Sequence, residues 1–233
     1  GGVHGDRAGT RQADPHPQGA DCRAKVIDGV DDAGGSGRRS GSRAGRKSRR
    51  VSARAAAAVK VTRICFDSFS TDRLLAERLT PSHMPDVIRM NTDPDVMAYL
   101  GGVRDADWSA EYMERNLRHW DQHGFGIWML RECAGSEIIG RAVLRYLPVE
   151  GVDEMEVGYA FLPHVWGRGL ATEVTATCLR IARDDMRLHE IVAITMPANV
   201  ASQRVLIKNG LTYDRDVLHD GSMWCLFRRR WEP

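Results

Sequence analysis

"EMEVGYAFLPHVWGRGLATE", residues 154–173, decides how this chain is read. Its first half alternates. Met155, Val157, Tyr159 and Phe161 fall on one face of an extended segment, and Glu154, Glu156, Gly158 and Ala160 on the other. The apolar run ends at Phe161, Leu162 and Pro163; Gly167 and Gly169 then bracket Arg168, and a helical pattern follows at once. A strand that runs through glycines into a helix start gathers backbone N–H groups with no partner inside the helix, at the positive end of its dipole. Glycines let a ligand come close to that backbone because no Cβ stands in the way. This is the chemistry of a phosphate seat. It is not a Walker A loop, since no Gly-Lys-Ser/Thr follows, nor a GxGxxG fingerprint, since position 172 is Thr172. The same residues would also serve a sharp strand-to-helix turn. Taken alone, the stretch leaves both readings open.

Working outward, a second helix start lies about 30 residues on, in "NVASQRVLIKNGL" (199–211). Asn199 is placed to cap it, Ser202 stands in its first turn and Gly210 ends it. The helix after Gly169 is expected to run to about Asp185, with Leu170, Val174, Cys178 (or Thr177) and Ile181 on one side. Earlier segments predict a strand at 72–80, helices at 81–91 and 108–124, and strands at 125–130, 138–147 and 154–162. Later ones predict a buried strand at 190–196 and two closing strands. Order is expected to begin near Thr71. The alternation makes a mixed α/β domain with one core.

Charge separates the chain into two regions. Residues 1–62 carry 13 Lys+Arg and 6 Asp (net +7), and residues 63–233 carry 20 Lys+Arg and 25 Asp+Glu (net −5). The first region has no Phe, Trp, Tyr, Leu or Met and cannot bury enough apolar surface to offset its chain entropy. It is expected to be a disordered basic low-complexity tail without a role, rather than an arm for RNA or the ribosome. The chain starts with Gly and its first methionine is Met84, so part or all of the tail is expected to be non-native. The acidic remainder argues against a specific nucleic-acid partner. Cys22, Cys65, Cys133, Cys178 and Cys225 form no CxxC pair and read as reduced thiols. No apolar run is long enough for a membrane span and the start has no secretory segment, so a cytoplasmic protein is expected. The histidines show no metal-ligand spacing; His119 and His123 lack a third ligand. "RRRW" (228–231) reads as a solvated strand end.

One ordered series ties these segments together: "TDRLLAERLTP" (71–81), "DPDVMAYLGG" (93–102), "GFGIWML" (124–130), "EIIGRAVLRYL" (137–147), "MEVGYAFLPHVWGRGLATE" (155–173) and "ANVASQRVLIKNGL" (198–211). It resembles the GCN5-related N-acetyltransferases (GNAT), in particular the ribosomal-protein-alanine, RimJ/RimL-like branch, over residues 71–230. The resemblance implies the GNAT fold, a mostly antiparallel mixed sheet flanked by helices with two strands splayed at an acetyl-CoA site, over residues 63–233. It implies acetyl-CoA as co-substrate, no metal, and an amine acceptor, either a peptide N-terminus or a small amine; it leaves a homodimer open. The family's Q/R-x-x-G-x-G/A loop becomes residues 164–169, with His164 departing from the pattern. Amides of Trp166, Gly167, Arg168, Gly169, Leu170, Ala171 and Thr172 would surround the pyrophosphate, Arg168 through its backbone more than its charge. Phe161 and Leu162 would pair with the pantetheine arm, Asn199 would bind it, and Ser202 would lie near the thioester sulfur. Many members carry a Tyr acid seven residues after the asparagine; here that position is Leu206, and Ser202 is the substitute. Glu156 is the preferred base, with Asp220 and His219 next, and Tyr159 is assigned to packing. A non-catalytic acyl-CoA sensor and a ribosome or RNA adaptor are the alternatives.

Overall fold

The structure is a computed structural model that describes residues 66–232; the expectations for the tail lie outside the described residues. Among the described residues, eight strands and five α-helices follow in chain order: β1 (Ser68–Ser70), β2 (Leu74–Arg78), α1 (Met84–Thr92), α2 (Pro94–Met97), α3 (Ala106–His123), β3 (Ile127–Glu132), β4 (Ile138–Val149), β5 (Val152–Phe161), α4 (Leu170–Arg180), β6 (Glu190–Thr195), α5 (Val200–Lys208), β7 (Thr212–His219) and β8 (Ser222–Arg230). They make one mixed sheet in the order β1-β2-β3-β4-β5-β6-β8-β7. Every neighbouring pair is antiparallel except β5 and β6. This is the mostly antiparallel α/β arrangement expected.

Local chemistry explains the boundaries. Asp93 and Asp105 accept backbone N–H bonds at the starts of α2 and α3, satisfying donors the helices cannot. Gly124 stops α3 in the left-handed region, at φ 77°. Three details depart from the sequence expectation. The helix predicted over 81–91 opens with a 3₁₀ turn at Pro81–His83. The helix predicted to about Asp185 is α-helical only to Arg180, and Ile181–Asp185 forms a π turn whose wider ladder ends on the Met186 N–H to Ile181 carbonyl bond (3.0 Å). And β1 was not foreseen at all.

The main core fills around Trp120, Trp128, Leu130 and Leu144, with the two indoles edge to face at 5.3 Å. A smaller apolar group, including Val192, Val217, Trp224 and Leu226, packs where β6, β7 and β8 meet. His119 fastens α3 to the sheet. Its Nδ1 faces the Phe125 carbonyl (2.9 Å) and its Nε2 accepts the Tyr146 N–H (3.2 Å), which requires the neutral ring protonated on Nδ1. Burial, with the nearby His123 and Arg145, holds its pKa below the usual histidine value despite the Phe125 bond.

Two features of the sheet set up the site. Strands β5 and β6 pair at a single register position, Glu156 with Val192, and beyond it they part. On the closed side of that split, Arg228 of β8 reaches Glu154 of β5 with two donors (2.6 and 3.2 Å) and also Asp214 (3.3 Å) and Glu190 (3.1 Å). The Arg228 side chain is only 8% exposed, so "RRRW" is not a solvated strand end at its first residue. Hydrogen bonds and charge from Glu154 outweigh burial and keep its guanidinium charged. Arg228 therefore rivets β5, β8 and β7 across β6 just below the point where the sheet opens.

Candidate active site

The glycine turn lies at the open end of the split. Gly167 and Gly169 have φ of 75° and 79°, values that residues with a Cβ rarely adopt. A Cβ on Gly167 would meet nothing within 4 Å, so backbone conformation, not protein packing, requires glycine there. Val165 and Trp166 spend their N–H groups inside the short 3₁₀ turn at Pro163–Val165, on the carbonyls of Leu162 and Pro163. The first amide of the series with an internal acceptor after them is Glu173, bonded to the Gly169 carbonyl (3.2 Å). Between them, the N–H groups of residues 167–172 find no acceptor among the described residues. A run of unpartnered donors at the positive end of α4 suits an anion. The Trp166 amide, expected in this set, is already committed.

Side chains that the sequence did not single out hold this turn. Glu173, in the first turn of α4, accepts from the Arg73 backbone N–H (2.9 Å), pairs with the Arg73 guanidinium (2.6 Å) and accepts from the Thr71 hydroxyl. Arg73 also donates to the Arg168 carbonyl (2.8 Å). Burial of Glu173 opposes its charge, but the bonds from Thr71 and Arg73 outweigh it and hold the carboxyl below the usual range. Arg168 pairs with Glu132 of β3 (2.5 Å), so its charge ties the turn to the sheet. His164, where the loop departs from the family pattern, is exposed and makes no side-chain hydrogen bond among the described residues.

The groups at the end of β5 are partly spoken for. The Phe161 carbonyl accepts from the Trp166 indole N–H (2.7 Å), and the Leu162 N–H donates to the Ile139 carbonyl (2.9 Å). Across the split, Asn199 caps α5 by accepting the Ser202 N–H on Oδ1 (3.0 Å), which leaves its Nδ2 donors available. Leu206 is 2% exposed and carries no proton to give.

Register places Glu156 on one face of the sheet, opposite Arg145, and Tyr159 on the other, opposite Ala142. Glu156 is not an edge charge in water: it is 7% exposed, and its Oε2 accepts from Arg145 Nε (2.7 Å). Its Oε1 makes no bond among the described residues, and Gly158, next on that face, leaves space beside it; a Cβ there would come within 3.9 Å of Oε1. Burial opposes the Arg145 charge, but Glu156, Tyr112 and Asp220 outweigh it. Asp220 itself is 85% exposed, with His219 3.7 Å away. On the opposite face, the Tyr159 hydroxyl donates to Ser202 Oγ (3.3 Å), a contact that the assignment of Tyr159 to packing missed. Burial pushes the Tyr159 phenol up, the Ser202 bond opposing it, so it stays protonated at neutral pH.

The cysteines are poorly placed as acyl carriers. Burial pushes the Cys178 thiol up to about 12, and burial and Asp216 raise that of Cys225. Cys133 is disulfide-bonded, which corrects the expectation of five reduced thiols. Among the described residues no group of three or more His, Cys, Asp or Glu is placed to hold a metal ion, and no helix is long and apolar enough to cross a membrane.

Known proteins share both the sequence and the fold. The model of the acetyltransferase (GNAT) domain family matches residues 73–212. The uncharacterised protein YkkB of Bacillus subtilis is 30% identical over 125 residues, spanning 54% of this chain and 73% of that protein. The FsC-acetyl coenzyme A-N(2)-transacetylase of Aspergillus fumigatus is 28% identical over 155 residues, spanning 61% of this chain and 64% of that protein. In three dimensions, an acetyltransferase from Agrobacterium tumefaciens superposes with a TM-score of 0.63 at 23% identity, over 72% of this chain and 96% of that one. An acetyl transferase from Salmonella typhimurium that modifies the N-terminal serine of ribosomal protein L7/L12 does so at 0.56 and 14% identity, over 69% and 96%. The split between β5 and β6, the unpartnered amides at the head of α4 and the family match over residues 73–212 converge on one conclusion: this chain belongs to the GNAT family of N-acetyltransferases, enzymes that use acetyl-CoA as co-substrate.

Proposed function

We propose that the chain transfers the acetyl group of acetyl-CoA to a primary amine, a peptide N-terminus or a small amine, by direct attack on the thioester. The observation that carries this reading is the run of unpartnered N–H groups over residues 167–172 at the head of α4, opening onto the split between β5 and β6. Acetyl-CoA supplies an acyl group activated on sulfur; the remaining work falls to the chain. The amides of Gly167, Arg168, Gly169, Leu170, Ala171 and Thr172 hold the pyrophosphate. Trp166 lies beside them, its amide committed to the Pro163 carbonyl and its indole to the Phe161 carbonyl. The arm follows the unpaired edge of β5 past Phe161 and Leu162, which contribute packing, and meets the Asn199 Nδ2 donors.

Glu156 receives the proton of the attacking amine on Oε1, while Arg145 fixes the other oxygen and Gly158 leaves room for the amine. Burial favours Glu156 over the exposed Asp220 for this role. An unpaired N–H on the β5 edge beyond Glu156 serves the oxyanion. Ser202 attends the sulfur on the opposite face. The catalytic unit is assigned to residues 63–233, with residues 1–62 outside it.

The acceptor is a primary amine by class. The Aspergillus relative is an N(2)-transacetylase and the Salmonella fold neighbour modifies an N-terminal serine, so both kinds of amine belong in the test. The experiment is release of CoA thiol from acetyl-CoA across ribosomal N-terminal peptides and small amines. Amine-dependent release supports transfer; tight CoA binding without release for any amine favours an acyl-CoA sensor. Gly169→Trp, checked for folding by circular dichroism, is expected to abolish CoA binding. Retained affinity would sink the seat.

A further inference from the structure

The family position for a tyrosine acid is filled here by buried Leu206, yet a tyrosine hydroxyl does reach this side of the split. It comes from β5 instead of α5. Tyr159 lies beyond the last paired position, Glu156 with Val192, on the stretch where β5 has left β6. Its hydroxyl crosses to Ser202 Oγ in the first turn of α5, 43 residues on, at 3.3 Å. Ser202 is fixed at its backbone by the Asn199 cap (3.0 Å). A serine hydroxyl has one proton and two lone pairs. When Tyr159 occupies a lone pair, the serine proton is left for a third group, and no described residue takes it.

We infer that Tyr159 is a positioning residue that orients the Ser202 hydroxyl to donate to the sulfur of the departing CoA, so that the pair stabilises the leaving thiolate through a two-bond chain. This rests on the proposed seating of acetyl-CoA. In the step itself, the amine nitrogen bonds to the carbonyl carbon and the C–S bond breaks with its electron pair on sulfur. The amine proton leaves through Glu156, and sulfur departs as a thiolate accepting from Ser202. Full proton transfer from Tyr159 is not needed and runs uphill. An ordinary phenol titrates near ~10 and a thiol near ~8.5, and burial moves Tyr159 further up. A hydrogen bond to a developing charge is the stronger contribution, because charge-assisted bonds exceed neutral ones about twofold.

The test uses the full chain with CoA itself and reads the thiolate absorbance of bound CoA against pH, with desulfo-CoA as the blank. In the wild-type protein the thiol of bound CoA is expected to titrate about one unit below free CoA, a tenfold shift. Tyr159→Phe, which keeps the ring, and Ser202→Ala should each return it towards the free value. The double variant should go no further than either, as for one coupled unit. Turnover should fall about tenfold in each, with the KM for acetyl-CoA within about twofold, and Ser202→Thr should restore most of it. An unmoved thiol titration in both single variants, or additive losses in the double variant, overturns the inference while leaving acetyl transfer standing. Failure of the wild-type chain to bind CoA overturns the seat and this inference with it.

Discussion

Glu156 and Ser202 lie 46 residues apart in sequence and stand on opposite faces of one sheet, joined only through the gap that opens after Glu156 pairs with Val192. The proposed transfer needs that separation, with the amine arriving on the Glu156 face and the thiol leaving on the Tyr159 face. Glu156→Gln keeps the volume and an acceptor for Arg145 but removes the base. Its kcat should fall about 100-fold, in the range of a lost general base, while CoA affinity measured by calorimetry stays within about twofold. An equal loss in both would make Glu156 part of the CoA seat instead. The sequence singles out both residues as candidates, one by strand alternation and one by its place after Asn199. Their partners were not. Arg145 meets Glu156 across a hairpin and Tyr159 meets Ser202 across the split, and neither pairing has a local signature.

At the scale of elements, the turn before α4 is held from a distance. Glu173 binds Arg73 and Thr71, residues about a hundred positions earlier, which no motif around the turn could announce. Its carboxyl is held below the usual range, so the tie is present at neutral pH and is lost only as pH falls through that lowered pKa, on the acid side of the ordinary value of about 4.3. CoA affinity of the wild-type chain should therefore weaken on that acid side, and Glu173→Gln should remove that portion of the pH dependence. His119 acts at milder acidity. Its folded pKa is lowered, so the unfolded chain binds the proton more readily and stability falls as pH drops below about 6.5. Burial is the main cause, and a protonated Nε2 would also face the Tyr146 N–H, donor against donor. Thermal melts of His119→Gln should lack this step.

The rivet below the split belongs to the same scale. Arg228→Ala would leave the half-buried Glu154, at 13% exposure, without its cation and should destabilise the fold by up to about 3–5 kcal/mol in urea titrations. Arg228→Met should cost much less if Glu154→Gln accompanies it. The sequence reading of "RRRW" as solvated fails at Arg228, because a strand end looks the same whether or not three carboxylates from other strands converge on it. β1 escaped notice for a related reason: Ser68–Ser70 holds one apolar residue between two serines, and only its partner β2 makes it a strand.

For the whole molecule, the strongly patterned segments were readable: the alternating β5, the capped α3 and α5, and the glycine turn between β5 and α4 all stand where periodicity put them. Periodicity could not give the strand order, nor show that β5 and β6 touch at one position and then diverge. That divergence is what the proposed seat rests on. A chain lacking residues 1–62 should bind CoA as the full chain does, since every group assigned to the seat lies from Thr71 onwards. A loss of affinity on truncation would give the basic segment a part in binding. Amine-dependent acetyl transfer is decided by thiol release from acetyl-CoA across the peptide and amine panel. Release should saturate with at least one primary amine and fall about 100-fold in Glu156→Gln. CoA binding to the seat with no release above the amine-free rate for any acceptor would contradict it.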